Sequence, residues 1–443
     1  MELRDFVATP IVILLVFFLA YWLRPYLTNE TTRKYFLPAL TVKIAGAICL
    51  GLIYQFYYSG GDTYNFHTHG SRHLWEAFMD SPEKGIKLFF TDGSDLRGIY
   101  KYSSRILFLR DPSSFFVIRI AALFDLFTYS SYAATAVLFA VFSFIGSWMF
   151  FLTFYKQYPR AHFGIAIASF FVPSVFFWGS GLLKDTIVTG ALGIATYLLY
   201  VLFIEKKFSV FKGLGLLAAL YVIFMVKIFV LQAFLPAAII WIVSFNVGSI
   251  KSVFLKLMLV PLSVALVLVS GYFTVTKIGE DNQKYSVANI ARTAQITAYD
   301  IRYWTGRDAG SGYSLGELDG TFQSMIALTP QAVNVSLFRP YLWEVKNPLM
   351  LISALESLAL LLLTIFLVGT SPGYFFKALG NPNVLFCATF SLTFAFAVGV
   401  STFNFGTLAR YKIPLLPFYA IGLVLIYYYE KSDKKLGEFE ETE

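Results

Sequence analysis

The residues most able to do chemistry sit in the run Gly60-Gly61-Asp62-Thr63-Tyr64-Asn65-Phe66-His67-Thr68-His69-Gly70. Two glycines free the backbone, a carboxylate follows, and then come aromatics and two imidazoles. A carboxylate in such a place is a candidate general base. Other charged groups recur at a distance: Ser180-Gly181-Leu182-Leu183-Lys184-Asp185, Lys227 alone in an apolar run, Arg339 and Glu344 around Pro340-Tyr341-Leu342-Trp343, and Leu408-Ala409-Arg410-Tyr411-Lys412. Ionisable groups near hydrocarbon are costly unless used. A carboxylate grouped with several cations suits an anionic, phosphate-bearing lipid, because Arg grips phosphate bidentately and Lys acts as a point charge. The His67-x-His69 spacing would put both imidazoles on one side of an extended strand. With Asp62 as an oxygen donor, that leaves a divalent metal open as an alternative to hydrogen-bonding or substrate-contacting histidines.

Each group also has a plainer reading. Lys184 and Lys227 can snorkel, Asp185 can serve a helix N-terminus, Lys412 can anchor a helix end, and Asp62 can be a turn residue after Gly-Gly. The functional reading rests on their convergence.

The elements that must position these groups are membrane helices. Hydrophobic residues make up 57% of the 443 and charged ones 14%, against about a quarter charged in soluble domains; mean hydropathy is +0.65. The net charge of +8 is scattered over short inter-helix loops, as the positive-inside tendency would place it, which argues against a nucleic-acid partner. Cys49 and Cys387 both lie in apolar runs, so no disulfide framework or CxxC motif is present. The first apolar stretch lacks a basic leader and a small-x-small cleavage site, and reads as a retained helix.

Apolar runs of spanning length predict an all-α polytopic membrane protein, one transmembrane domain over 1–443 with about 11 helices. They fall near 8–24, 38–57, 131–155, 162–178, 185–204, 213–226, 229–246, 257–277, 347–369, 383–402 and 412–429. Segment 114–127, with Arg119 and Asp125, reads as interfacial. Residues 213–246 are interrupted only by Lys227, and a turn there makes two short helices. Arg24, Arg33, Lys34, Lys43, Lys156, Arg160, Lys206, Lys207, Lys212, Lys251 and Lys256 then share the cytoplasmic side. This puts the N-terminus outside, the C-terminus inside, and two long structured loops, 58–113 and 278–340, on the extracytoplasmic face. The first outer region, with its interfacial helices, extends over 58–130 and the second over 278–346. The glycines at 306, 310, 312 and 316 lack a strand–turn–helix setting and read as a loop.

The segment around Gly61-Asp62 resembles the acidic first outer loop of the GT-C membrane glycosyltransferases. Ser180-Gly181 through Lys184-Asp185 resembles the Ser-Gly-Ile-Arg-Gln-like signature of bacterial exopolysaccharide and O-antigen polymerases. Arg410-Tyr411-x-x-Pro414-x-x-Pro417 resembles the Arg-Tyr-x-x-Pro-x-x-Pro near the end of both groups. Two differences stand: Asp62 follows the second helix rather than the first, and Lys184-Asp185 replaces Arg-Gln.

The resemblance implies transfer of a sugar from a polyprenyl-phosphate or pyrophosphate donor to a glycan or lipid acceptor, in the bacterial inner membrane. It implies Asp62 as the base, and Lys184, Arg410 and also Lys227 or Arg339 on the lipid phosphate. Asp185, Tyr64, His67, His69 and Tyr411 would be further substrate contacts, all converging on one cavity. A flippase for a lipid-linked glycan would use the same cations without chemistry, and a structural envelope subunit is a third reading.

Overall fold

A computed structural model describes residues 2–247, 292, 294–296, 299, 303, 311–316, 322–370 and 372–440. The protein is an all-α polytopic membrane protein. Among the described residues there is no strand, only an isolated antiparallel bridge between Gly312 and Asn404. Seven helices in them are long and apolar enough to cross a membrane. There are eight if Phe405–Tyr411 and Leu416–Tyr428, bent by 68°, count as one span. The span expected at 257–277 and most of the loop expected at 278–340 lie outside the described residues.

Within the described residues, the expected spans at 162–178 and 213–246 differ for local reasons. The run 162–178 is not one span: it is the short helix His162–Phe170, a break, and Pro173–Trp178. Proline restricts the residue before it and removes a donor, so the helix stops just ahead of Pro173. Residues 213–246 lie in Val210–Val247, two helical stretches that meet at a kink at Lys227, where the backbone leaves helical geometry (φ −147°, ψ 81°). The expected break is at the expected residue, and the two stretches together count once among the seven long apolar helices. Lys43, expected near the cytoplasmic end of the span 38–57 as one of the cations flanking the first connection, lies well inside Arg33–Phe56 and is 1% exposed.

The chain forms two compact units. The first comprises Met1–Gln157, Val175–Leu198 and Val210–Ile228; the second comprises Tyr158–Ser174, Leu199–Ser209 and Phe229–Glu443.

In the first unit, Arg33–Phe56 packs along Tyr132–Tyr155 through edge-on rings, Phe36 against Phe144 and Trp148 with centroids 5.1 and 4.9 Å apart. Lipid offers apolar helices no hydrophobic drive to associate, so close approach at small residues takes over. A Cβ on Gly146 would lie 2.1 Å from the Gly190 carbonyl, and one on Gly193 would lie 2.1 Å from the Gly146 carbonyl. The helix Lys184–Leu199 is thereby clamped onto Tyr132–Tyr155. Gly46 likewise admits the Phe176 carbonyl, 2.2 Å from where its Cβ would stand. The first helix, Leu3–Leu27, is tied mainly near its start: Asp5 accepts from the Ser131 hydroxyl (2.8 Å) and the Ala133 N–H (3.2 Å).

Residues 58–113 fold into short helical pieces from Asp62–Phe66 to Tyr100–Ser103. The helix Pro112–Thr128 follows, capped by Asp111. Its Asp125, expected on a polar interfacial face, is fully buried and accepts from Thr135 Oγ1 at 2.6 Å.

The second unit has an aromatic core. Trp241 stacks on Phe386 (4.4 Å, 4°) and donates to Asn383 Oδ1 at 2.9 Å; Phe234, Phe390 and Phe418 close around them. Pro382–Ser401 meets Thr329–Phe338 at Gly399, where a Cβ would stand 2.3 Å from the Ala332 carbonyl.

Candidate functional site

Asp62 opens the helix Asp62–Phe66 at the end of a turn that only particular backbones allow. Ser59, Gly60 and Gly61 have φ of 56°, 129° and 124°, a region glycine enters freely. The Gly60 N–H closes the turn on the Tyr54 carbonyl at 2.8 Å. Three following side chains fix the helix. Thr63 Oγ1 shares a hydrogen bond with Tyr132 Oη at 2.7 Å. Tyr64 stacks on Tyr132 at 4.3 Å and donates to the Gly51 carbonyl and Gln55 Oε1. Phe66 packs against Phe108. Burial, then the charge of Asp5, pushes the Tyr64 hydroxyl up to about 12, so it stays a neutral donor. Asp62 itself is half-buried.

The histidines part company. The backbone from His67 to Ser71 is a π-helical turn, not an extended strand, and residues two apart on a helix do not share a face. His67 is fully buried beside Asp125 (Nε2 to Oδ1 3.4 Å), while His69 is exposed. Among the described residues no three His, Cys, Asp or Glu side chains are grouped to hold a metal, so the metal-edge reading of Asp62, His67 and His69 loses its geometry.

Lys184 and Asp185 start the helix Lys184–Leu199 after an irregular link at residues 179–183, where Leu183 N–H and Thr186 Oγ1 both donate to the Gly181 carbonyl. Lys184 Nζ donates to Ser113 Oγ at 2.7 Å and lies 3.4 Å from Asp111 Oδ2. It also lies within electrostatic range of Asp62 and of Lys227. Burial works to raise the Asp111 carboxyl. The Ser114 hydroxyl and the Lys184 charge outweigh it and hold Asp111 below the usual carboxylate value. Asp185, 1% exposed, is ion-paired to Lys227, itself buried at the break in its helix.

Asp62, Lys184, Asp185 and Lys227 thus form one charged cluster in the first unit, completed by Asp111 and Ser113. The last two escaped the sequence reading because Asp111-Pro112-Ser113 looks like any helix start; it is one, and the capping carboxylate also receives the lysine.

Arg339, Arg410 and Tyr411 belong to the second unit. Arg339 is paired with Glu344 through Nε and Nη2 and is ringed by Tyr313, Phe405 and Tyr341, with centroids 5.4, 5.3 and 5.9 Å away. Glu344 also accepts from the Tyr341 N–H at 2.8 Å. Arg339 is therefore committed to its own turn. Arg410 and Tyr411 end the helix Phe405–Tyr411, which Asn404 caps through the Gly406 and Thr407 N–H groups. Lys412, fully buried at the following bend, donates to Ser357 Oγ (3.0 Å) and the Arg339 carbonyl (3.4 Å).

A partly exposed carboxylate within electrostatic range of a tethered ammonium can accept a proton from a hydroxyl while the ammonium meets developing negative charge. No known family, curated protein or solved structure matches the chain.

Proposed function

We propose that the protein is a membrane glycosyltransferase or glycan polymerase that transfers a sugar from a polyprenyl-phosphate or pyrophosphate donor to a glycan or lipid hydroxyl. The observation that carries this reading is the Asp62–Lys184 arrangement: two sequence-distant groups with the required chemistry lie within electrostatic range in one unit. Asp62 takes the proton of the acceptor hydroxyl as its oxygen bonds to the anomeric carbon. The bond from that carbon to the phosphate oxygen breaks, and the electron pair leaves on the phosphate. Lys184 turns from Ser113 towards that phosphate, with Asp111 beside its ammonium keeping it charged. Lys227 adds positive potential from behind while paired to Asp185. Arg339 is read as holding the 339–344 turn. The reaction face is extracytoplasmic, in a bacterial inner membrane.

The test is Asp62→Asn in the full-length protein. Loss of a general base typically costs about 10²–10⁴-fold, so transfer to an acceptor sugar should fall by that factor while retention of a polyprenyl phosphate is unchanged. Lys184→Met should instead weaken retention. Transfer by Asp62→Asn at the wild-type rate would sink the assignment.

One observation favours a second reading, a flippase for the same lipid. Helix backbones break at residues 179–183, at Lys227 and at the 68° bend before Leu416, and interrupted helices are how many transporters build substrate and ion sites. Asp62→Asn separates the two, because moving the lipid requires no base.

A further inference from the structure

Lys43 is a buried charged group that the proposed chemistry leaves unused. It lies well inside Arg33–Phe56 and is 1% exposed. Its Nζ donates to Ser143 Oγ at 3.0 Å, the Val175 carbonyl at 3.2 Å and the Gly179 carbonyl at 3.1 Å. An ammonium has three N–H donors and no acceptor, and here it meets three oxygens. Ser143 spends its own proton on the Gly179 carbonyl at 2.6 Å, so its oxygen is free to accept from the lysine. Three donors facing three oxygens match the charged amine; a neutral amine, with two N–H groups and a lone pair, would need the Ser143 proton turned towards it and away from Gly179.

All three partners are neutral. Two are carbonyls at the end of Pro173–Trp178, where a helix stops and its last carbonyls need donors. Two carbonyls of an interrupted helix and one hydroxyl, about 3 Å from a compact positive centre, are the donor set that membrane proteins offer to a monovalent cation. Irregular backbone at such a depth is tolerated only where its polar groups are satisfied within the protein.

We propose that this is a monovalent-cation site filled by the chain itself, the Lys43 ammonium standing where a free ion would otherwise be required. By holding Gly179, Lys43 fixes the start of the link 179–183 and so the position from which Lys184 and Asp185 project. The first half of the proposal concerns the cation alone; the second, a positioning role, rests on the transferase reading.

The experiment removes the tethered cation and offers a free one. Full-length Lys43→Ala is purified and melted in choline chloride, then in sodium, potassium or methylammonium chloride at equal ionic strength. The wild type should melt alike in all four. Lys43→Ala should melt lower in choline and recover saturably with a small cation. Equal melting of the variant in all salts overturns the proposal.

Lys43→Gln keeps hydrogen-bond donors without the charge and fills the space. It should be destabilised and insensitive to salt, and wild-type stability in this variant equally overturns the proposal. If Lys43→Ala is not recovered folded, Lys43→Gln alone decides. For positioning, retention of a short polyprenyl phosphate should be about tenfold weaker in Lys43→Ala, within the usual range of coupling between sites, and restored by methylammonium. The melting arm uses no substrate. If wild type retains no lipid phosphate while the melts behave as stated, the transferase reading fails and the cation site stands; if lipid retention holds and the melts do not, Lys43 alone is misread.

Discussion

Removing Lys227 while leaving Asp185 puts a price on the charged cluster. Both side chains are nearly inaccessible, 8% and 1% exposed, and they are in contact. Breaking a buried pair from one side strands a charge and typically costs about 3–5 kcal/mol, whereas removing both charges together can be nearly neutral. At about 2–4 °C per kcal/mol for a domain of 150–250 residues, Lys227→Met should lower the melting midpoint by roughly 6–20 °C. Asp185→Asn should cost slightly more, because Asp185 lies in the first turn of Lys184–Leu199, where a negative charge adds about 0.3–1 kcal/mol. The double variant Asp185→Asn/Lys227→Met should regain most of the loss. The seven tryptophans give an intrinsic signal for melting in nanodiscs, at one fixed scan rate since unfolding of such proteins is seldom reversible. Two results would refute the reasoning: Lys227→Met melting within about 2 °C of wild type, or a double variant whose loss equals the sum of the singles, which for touching residues means no coupling. The double variant should also be well folded yet poor in transfer, separating the pair's two contributions.

Gly46→Ala should destabilise by about 1–3 kcal/mol, the usual cost of overpacking, because its methyl would meet the Phe176 carbonyl; an unchanged melt would show the two helices able to part. Acid should weaken the second unit through Glu344. Burial tends to raise this carboxyl, but the Arg339 hydrogen bond and charge and the Tyr341 N–H hold it below its ordinary value of 4.5. A depressed carboxylate stabilises fully above that value and loses its contribution as the pH falls through the lower one. The acid limb of a melting-versus-pH curve should accordingly be shallower in Glu344→Gln, and an identical limb would show that the pair contributes nothing. A cysteine replacing Ser94 in the first long loop should react with a membrane-impermeant thiol reagent from the extracytoplasmic side; reaction only after permeabilisation would invert the proposed orientation.

Much of the first unit was legible because its signals are local. Gly60-Gly61-Asp62 announced a turn, and the lone charge in 213–246 marked the residue where the backbone breaks. Pro173 carried the sign of an interruption that an unbroken apolar run concealed. What the sequence hid depends on partners far along the chain. Lys43 reads as one more cation flanking a cytoplasmic connection until three oxygens from residues 143, 175 and 179 surround it, and Asp125 reads as an interfacial acid until His67 and Thr135 face it. The His67–His69 spacing misled because its meaning differs between a strand and a helix. Asp62 and Lys184 were legible as chemical types; Asp111 and Ser113, which hold the lysine, were visible only as a cap.

The attachment of the first helix has a consequence for the order of events during synthesis. Only 6% of the residues in the central part of Leu3–Leu27 are fully buried by the protein, so much of the helix surface is left to lipid. Its Asp5 is held by Ser131, 126 residues further along the chain. At about 5–20 residues per second, roughly 6–25 s separate the two residues as they leave the ribosome. During that interval the helix can settle in lipid and turn about its own axis, its carboxylate served by water and headgroups. Orientation about the axis is then set when the start of Tyr132–Tyr155 arrives.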